Sequence, residues 1–258
     1  MSFTTVSCYN TREHDRSSIV SPRRLYRTGG TRRYCCRYHS DRYYSVDESV
    51  ARGVKTAELI RKYPLISDQI TAGELQVILR ELEYYISGGK TGAVVEFGCY
   101  QGTTSLFIRR LLDCYEDKRE FHVYDSFEGL PPKGRWDQSS VGEHFITGEL
   151  LAHKKEFFAQ FKKAGLVMPR IHKGWFHDLD QSHIPQTVGF AFLDGDYYGS
   201  IRESLMLITP RLVSGAVIIV DDYANEALPG AARAVDEWLV GQRAVMRVQS
   251  SLAIIYRQ

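Results

Sequence analysis

The chain has 258 residues, of which 43% are hydrophobic and 25% are charged, a composition typical of one large globular domain with a modest extension. Its net charge of +2 is unevenly distributed, because residues 1–43 hold nine arginines against three acidic residues. That segment therefore carries +6 and the remainder −4, which argues against a nucleic-acid-binding surface on the folded part. No segment approaches the ~20 consecutive apolar residues that span a bilayer, so no membrane partner is expected.

The amino-terminal residues and the cysteines indicate the compartment. Arginines such as Arg12, Arg16 and Arg23 interrupt the region where a secretory signal has its apolar centre. The five cysteines form neither a CxxC pair nor an even-numbered framework, which is typical of a reducing environment. We therefore expect a cytoplasmic protein.

The first ninety residues are predicted to form a tail and a helical lead-in. Residues 1–45 are rich in arginine and tyrosine without helical or strand periodicity, which predicts a disordered basic tail. Residues 46–90 show helical periodicity. In that lead-in, Thr71 and Glu74 form a capping box at the start of the second helix, and Gly88 lies at its end.

Residues 91–258 alternate short apolar runs with helical patterns, which predicts an α/β fold with a mostly parallel sheet. Strands are predicted over 93–97, 121–125, 169–174, 188–194 and 216–222. Helices are predicted over 103–114, 149–164, 199–212 and 229–240. Two further segments, 243–249 and 251–257, are expected to form an antiparallel hairpin at one edge of the sheet.

Acidic residues follow two of the predicted strands, in FLDGDYYGS at 192–200 and VIIVDDY at 217–223. The carboxyl ends of strands in an open α/β sheet form the ligand crevice, so we expect four aspartates to converge there: Asp194, Asp196, Asp221 and Asp222. Crowded carboxylates repel one another unless a cation holds them, and oxygen ligands suit Mg²⁺ or Ca²⁺. The alternative is that single aspartates cap the following helices. The paired arrangement favours a metal.

The segment VVEFGCYQGTTS at 94–105 predicts a strand, a glycine turn and a helix start. Gly98 and Gly102 would let the backbone approach a ligand closely, with Thr103 beginning the helix. Asp125 ends the next strand, where a carboxylate can accept the ribose hydroxyls of a nucleoside. Glu96 would repel a pyrophosphate but could orient the amino group of S-adenosylmethionine. Glu96 could instead cap a helix or pair with a surface arginine.

The chain resembles the macrocin O-methyltransferase family, whose members methylate sugar hydroxyls in macrolide and aminocoumarin antibiotics. The resemblance is carried by VVEFGCYQGTTS, VYDSFEGLP at 123–131, HKGWFHDL at 172–179, FLDGDYYGS, VIIVDDY and AVDEWL at 234–239. It implies a Rossmann-like class I methyltransferase with a mostly parallel seven-stranded sheet and helices on both faces. Residues 91–258 would then form the S-adenosylmethionine-binding domain.

The resemblance also implies roles for individual residues. S-adenosylmethionine would be the methyl donor and Mg²⁺ the metal. The metal ligands would be Asp194, Asp221 and Asp222, with Asp196 as the general base. Glu96, Gly98, Asp125 and Ser126 match cofactor positions, and Gly174 and Trp175 would lie beside the adenine. Gly102 and Thr103 are predicted cofactor contacts in the glycine turn, and His144 is a weaker candidate base.

The predicted reaction is methyl transfer to a hydroxyl of a small molecule, with a glycosylated secondary metabolite as the favoured acceptor. Mg²⁺ on vicinal hydroxyls would acidify and orient one of them, and a carboxylate would take its proton. The same chemistry suits a catechol or another phenol. A non-catalytic S-adenosylmethionine-binding protein is the alternative from a different class. The sequence allows a homo-oligomer and does not identify the acceptor.

Overall fold

The computed structural model describes residues 54–142 and 145–258. The predicted tail, the first part of the lead-in and His144 lie outside these ranges. Six helices and seven strands follow in chain order. The helices are α1 (Val54–Lys62), α2 (Ala72–Ser87), α3 (Thr103–Cys114), α4 (Lys154–Ala164), α5 (Tyr198–Ile208) and α6 (Pro229–Leu239). The strands are β1 (Ala93–Phe97), β2 (Phe121–Asp125), β3 (Arg170–Lys173), β4 (Val188–Leu193), β5 (Leu212–Val220), β6 (Ala244–Gln249) and β7 (Leu252–Arg257).

The seven strands form a sheet with the order β3-β2-β1-β4-β5-β7-β6. The first five strands in this order pair in parallel. β7 pairs antiparallel with both β5 and β6, so the predicted hairpin is confirmed at the edge of the sheet. The strand order reverses between β1 and β4, which places a ligand crevice at their carboxyl ends.

Both faces of the sheet are covered by helices, as predicted. β1 is buried at all five positions, because successive side chains point to opposite faces and each face carries a core. On one face, Val94 packs with side chains of α2, α3 and α4. On the other face, Val95 and Phe97 pack with side chains of α5 and α6.

The capping box at the start of α2 is confirmed. Glu74 N–H donates to Thr71 Oγ1, and Thr71 N–H donates to Glu74 Oε2 over 2.9 Å. The same helix buries Leu75, Ile78 and Leu79 completely in the core of the sheet. The second helix of the lead-in is therefore part of the main core.

Three elements, α4, α5 and β5, differ from their predicted bounds by more than one residue. α5 ends at Ile208 rather than 212, because Pro210 lacks an N–H and cannot continue the helix. β5 consequently begins at Leu212, and it ends at Val220, before the two aspartates. α4 begins at Lys154 rather than 149, because the chain up to Leu150 turns with positive φ angles at Gly148 and Leu150. Among the described residues, no helix combines the length and apolar character needed to cross a membrane.

Candidate active site

A cavity of about 530 Å³ lies at the carboxyl ends of the central strands. Nine of the twelve predicted site residues line it: Gly98, Asp125, Ser126, Gly174, Trp175, Asp194, Asp196, Asp221 and Asp222. Ligand cavities of ~300–1,000 Å³ commonly hold cofactors and small substrates. The glycine turn and the two acidic loops therefore share one cavity.

Asp125 organises the turn after β1. Its Oδ2 accepts hydrogen bonds from the backbone N–H groups of Cys99, at 2.8 Å, and Tyr100, at 3.3 Å. Its Oδ1 accepts from Phe127 N–H at 2.6 Å. Gly174 N–H donates to the Asp125 carbonyl oxygen, which ties the turn after β3 to β2. The carboxylate lies in the cavity wall with a fixed orientation.

Gly98 joins the two halves of the cavity. Its φ is +85°, and a Cβ at this position would lie 1.8 Å from the carbonyl oxygen of Asp194. Asp194 N–H in turn donates to the carbonyl oxygen of Phe97 over 2.8 Å. Only glycine permits this approach of the β1 turn to the acidic loop after β4.

Three predicted cofactor residues lie behind the cavity wall. Gly102 adopts φ +90° and packs its backbone against the Phe157 ring, and Thr103 Oγ1 lies 2.8 Å from Ser67 Oγ. Glu96 is fully buried on the α3 face and accepts a hydrogen bond from Ser105 Oγ. Its Oε1 has no hydrogen-bond partner among the described residues.

Burial raises the pKa of Glu96 to about 8, against the opposing effect of the Ser105 hydrogen bond. The Asp125 charge adds to this rise. A buried carboxyl with one unpaired oxygen is prepared to accept a further donor. Glu96 therefore retains one acceptor position beside the glycine turn, although it is not part of the cavity lining.

The acidic loops after β4 and β5 bring three carboxylates together. One oxygen each from Asp194, Asp196 and Asp222 lies within 4.8 Å of the others. Asp221 is outside this group of three. It is 6% exposed, and its Oδ1 accepts from Asp222 N–H at 2.8 Å and lies 3.2 Å from Ser251 Oγ. An all-oxygen group of this kind could hold a hard divalent cation.

Burial and mutual repulsion make the acidic cluster hold protons when no cation is bound. Burial, followed by the charges of Asp221 and Asp196, raises the pKa of Asp194 well above its usual range. Burial and the Asp222 charge act in the same direction on the pKa of Asp196. The pKa of Asp221 rises to about 8, again mainly through burial. A cation would replace these protons, because it stabilises the charged form of every carboxylate.

The structure adds site residues that the sequence did not reveal. Glu74 lines the cavity, and its Oε1 accepts from Ser251 Oγ at 2.7 Å. Asn225 Nδ2 donates to Asp222 Oδ1 at 2.8 Å. Asp137, in the loop after β2, also lines the cavity. The sequence predicts for Glu74 only its part in the capping box, and Ser251 lies in the turn of the final hairpin, far away in sequence.

The tyrosines beside the acidic loops have different surroundings. Tyr197 and Tyr198 line the cavity, whereas Tyr223 does not. Tyr197 is 2% exposed and packs with Leu130 and Leu228. Its hydroxyl donates to the Phe145 carbonyl oxygen, so this side chain joins the start of α5 to the loop between β2 and α4.

The fold and the cavity together define the class of Rossmann-like class I methyltransferases. The structure of the O-methyltransferase NovP is similar, with a TM-score of 0.66 and 25% identity, over 80% of this chain and 88% of that one. The structure of a calicheamicin methyltransferase has a TM-score of 0.60 and 19% identity, over 83% of this chain and 94% of that one. The second similarity concerns the fold alone.

The family can also be stated. The macrocin-O-methyltransferase family model matches residues 61–255. The chain therefore belongs to the macrocin O-methyltransferase family, which confirms the resemblance given by the sequence motifs.

Curated relatives of the chain are named as O-methyltransferases. The 8-demethyl-8-(2,3-dimethoxy-alpha-L-rhamnosyl)-tetracenomycin-C 4'-O-methyltransferase of Streptomyces olivaceus is 33% identical over 153 residues, or 57% of this chain and 58% of that protein. The demethyldecarbamoylnovobiocin O-methyltransferase of Streptomyces niveus is 28% identical over 172 residues, or 64% of each. The chain thus matches less than two thirds of the length of these relatives.

Proposed function

We propose that this protein is an S-adenosylmethionine-dependent and Mg²⁺-dependent O-methyltransferase that acts on a hydroxyl of a small glycosylated molecule. The observation that carries the proposal is the shared cavity. Gly98 and Asp125, the proposed cofactor side, line this cavity together with the acidic cluster of Asp194, Asp196 and Asp222. A methyl donor and an ionisable acceptor must meet in such a space.

The cofactor half suits S-adenosylmethionine. Asp125 would hold the ribose hydroxyls, with Ser126 beside it, and Gly174 and Trp175 would contact the adenine. Glu96, Gly102 and Thr103 would act from behind the wall. The Oε1 of Glu96, which has no partner among the described residues, would accept a hydrogen bond from the methionyl amine, directly or through a water. The acidic wall is unfavourable for a phosphate and favourable for the sulfonium and amine of this cofactor.

The acidic cluster suits Mg²⁺, because its donors are all carboxylate oxygens. Asp194 and Asp222 would hold the ion, with Asp221 supporting them through its contact with Asp222 N–H. When bound, Mg²⁺ lowers the pKa of vicinal hydroxyls on the acceptor and fixes their orientation. Asn225 donates a hydrogen bond to one oxygen of Asp222, which helps to fix the orientation of this carboxylate.

Asp196 is the proposed general base. Its carboxylate belongs to the same group as those of Asp194 and Asp222, so it would stand beside a hydroxyl bound at the metal. With no cation bound, burial and the charges of Asp222 and Asp221 raise its pKa well above that of an exposed aspartate. Its φ of +60° turns the side chain towards Asp194 and Asp222 rather than along the strand direction. Asp196 would therefore accept the hydroxyl proton as the oxygen attacks the methyl group.

A sugar acceptor is supported by the family and by the polar cavity wall. The curated relatives are named for rhamnosyl and novobiocin substrates. Glu74, Asn225 and Ser251 add hydrogen-bonding groups at the acidic end of the cavity.

We also propose a cytoplasmic location, which is consistent with the two free cysteines, Cys99 and Cys114, in the part of the chain that the structure describes.

The direct test is a methylation screen with radiolabelled S-adenosylmethionine over glycosylated metabolites and catechols, with and without a chelator. Transfer to sugars that is lost with chelator and restored by Mg²⁺ is the expected result. Transfer only to catechols would show that the acceptor is a phenol rather than a sugar. Cofactor binding in calorimetry without any transfer would favour a non-catalytic binding protein.

Replacing Asp196 tests the assignment of the base. Asp196→Asn should lower kcat by about 10²- to 10⁴-fold, because the amide cannot accept the proton. The Kd for S-adenosylmethionine should change less than about twofold, since the cofactor contacts lie on other strands. Asp113→Asn, an exposed aspartate of α3, is the matched control and should retain full activity. An equal loss of cofactor affinity in Asp196→Asn would contradict the assignment.

A further inference from the structure

The loop after β2 carries a buried aspartate that is hydrogen-bonded to the acidic loop after β4. Asp137 is 2% exposed, although it has no place in the predicted site. Its Oδ1 accepts from Tyr198 N–H at 2.7 Å, and its Oδ2 accepts from Gly134 N–H at 2.9 Å. Oδ1 therefore joins this loop to the start of α5, 61 residues away in sequence, and Oδ2 closes a turn within the loop itself.

The contact with Tyr198 supplies a cap that α5 otherwise lacks. Tyr198 is the first residue of α5, and the N-cap residue Tyr197 makes no side-chain capping hydrogen bond. The first N–H groups of a helix have no partner within the helix, and a carboxylate there also interacts favourably with the helix dipole. Asp137 performs this role from another loop.

The capped residue lies directly beside the proposed base. Only Tyr197 separates Tyr198 from Asp196, and Tyr197 N–H donates to the Gly195 carbonyl oxygen over 2.6 Å, which closes a tight turn around Asp196. Because Asp196 has φ +60°, the turn must be held in this strained conformation by its neighbours. Asp137 fixes the downstream end of that turn.

The start of α6 is shaped around the same contact. A Cβ on Gly230 would lie 1.9 Å from Asp137 Oδ1 and 2.7 Å from the Tyr198 nitrogen. Nearby, Trp136 packs its ring against Arg233, whose guanidinium carbon lies 3.4 Å from the ring centroid. Gly230 does not line the cavity, so its effect on the site passes through the Asp137–Tyr198 pair.

We propose that Asp137 is a positioning residue that holds the turn of Asp196 in the geometry for proton transfer, with Gly230 providing the space for it. This inference rests on the proposed function, in which Asp196 is the base. It assigns to the loop after β2 a part in the rate of the reaction, in addition to its place in the cavity wall.

The test uses three variants of the full chain: Asp137→Ala, Asp137→Asn and Gly230→Ala. Asp137→Ala and Gly230→Ala should lower kcat by about 10- to 100-fold, because small misplacements of a reacting group cost that much. Neither should change the Kd for S-adenosylmethionine by more than about twofold. Asp137→Asn should recover most of the lost kcat, since the amide oxygen still accepts from Tyr198 N–H. Gly241→Ala, just beyond α6 with open space around its Cβ, is the matched control.

Amide hydrogen exchange of the peptide spanning residues 194–201 provides a measurement that does not depend on activity. Exchange at Tyr198 should rise about tenfold in Asp137→Ala and Gly230→Ala and remain near wild type in Asp137→Asn. If Asp137→Ala does not fold, the proposal is tested by comparing kcat and exchange at Tyr198 between Gly230→Ala and Gly241→Ala.

Unchanged kcat and exchange in both disruptive variants would overturn the proposal. Loss of cofactor affinity in parallel with kcat would overturn it as well, because it would indicate a general structural role. A wild type that binds cofactor but methylates nothing would remove the proposed function, and the exchange data would still show whether Asp137 holds the turn.

Discussion

Four residues with positive φ angles follow the four central strands of the sheet. φ is +47° at Tyr100, +55° at Phe127, +60° at Asp196 and +57° at Asp222, after β1, β2, β4 and β5 respectively. Non-glycine residues in this region cost about 1 kcal/mol or more each, so backbone strain is concentrated around the cavity. This conformation explains why the adjacent Asp221 and Asp222 do not simply point to opposite faces, as they would in a continuing strand.

Gly98 offers a test of how closely the two halves of the cavity depend on each other. Gly98→Ala should destabilise the protein by about 3 kcal/mol, because the new Cβ would collide with the Asp194 carbonyl oxygen in addition to the cost of φ +85°. Gly89→Ala has φ +66° with no atom within 4 Å and should cost only about 1 kcal/mol. Urea denaturation measures the loss of stability in both variants. Equal losses would show that the contact with the Asp194 carbonyl oxygen adds nothing to the cost of the positive φ angle.

At the scale of elements, α1 is attached to the core through a side chain of α2. Glu83 is 4% exposed and accepts from the N–H groups of Lys55 and Thr56, from Thr56 Oγ1 and from the hydroxyl of Tyr115. The first turn of α1 thus receives its cap from a different helix. α1, α2 and the end of α3 are joined at one buried carboxylate.

Removing this carboxylate should release α1 before the rest of the fold. Glu83→Ala is expected to cost about 2 kcal/mol, because four donors lose their shared acceptor in a buried place. Hydrogen exchange should increase within residues 54–62 more than in β1 or β4. Glu58→Ala, an exposed residue that pairs with Lys55 at 3.7 Å, should change stability by less than about 0.5 kcal/mol. Uniform exchange across the fold in Glu83→Ala would contradict this role.

At the scale of the whole molecule, buried carboxyl groups connect stability to pH and to metal. Burial raises the folded-state pKa of Glu96 and of Asp221 to about 8, whereas carboxyl groups of an unfolded chain titrate near ~4. Between these values the folded state binds more protons than the unfolded state. The free energy of unfolding therefore decreases as pH rises through this window.

The resulting prediction concerns the protein in the presence of a chelator. Between about pH 7 and about pH 8.5, its free energy of unfolding should fall by on the order of 1 kcal/mol per unit of pH. Burial lowers the pKa of His172 to about 4, so this imidazole stays neutral over the window and does not mask the effect. Excess Mg²⁺ should reduce the decrease, because the cation replaces protons on the cluster, whereas Glu96 lies outside the cluster and keeps its contribution.

Thermal and urea denaturation at several pH values measure this dependence. Asp221→Asn should show a smaller decrease than wild type in chelator, since it removes one of the two groups with a pKa of about 8. A chelated wild type that is equally stable across the window would contradict the assigned protonation states. A decrease of unchanged size in saturating Mg²⁺ would place all the titrating groups away from the metal site.

Much of the fold could be predicted from the sequence, because strand and helix periods are local properties. β1, β2 and α3 have the predicted bounds, and the capping box at Thr71 was visible from spacing alone. The contacts of Glu74 with Ser251 and of Asp137 with Tyr198 were not visible, because they join residues 177 and 61 positions apart. Motif spacing showed which carboxylates gather, and only the three-dimensional arrangement showed that Asp196 rather than Asp221 completes the group of three.

The position of β7 between β5 and β6 has a consequence for how the protein is made. Among the described residues, β5 pairs with β4 on one side and with β7, the last described strand, on the other. During synthesis, the apolar edge of β5 therefore stays open for the time needed to add about thirty residues, which spans α6 and β6. An unpaired apolar edge invites pairing with other chains. Nascent chains should consequently be most prone to aggregation, and most dependent on chaperones, in the interval between the emergence of Val220 and that of Leu252.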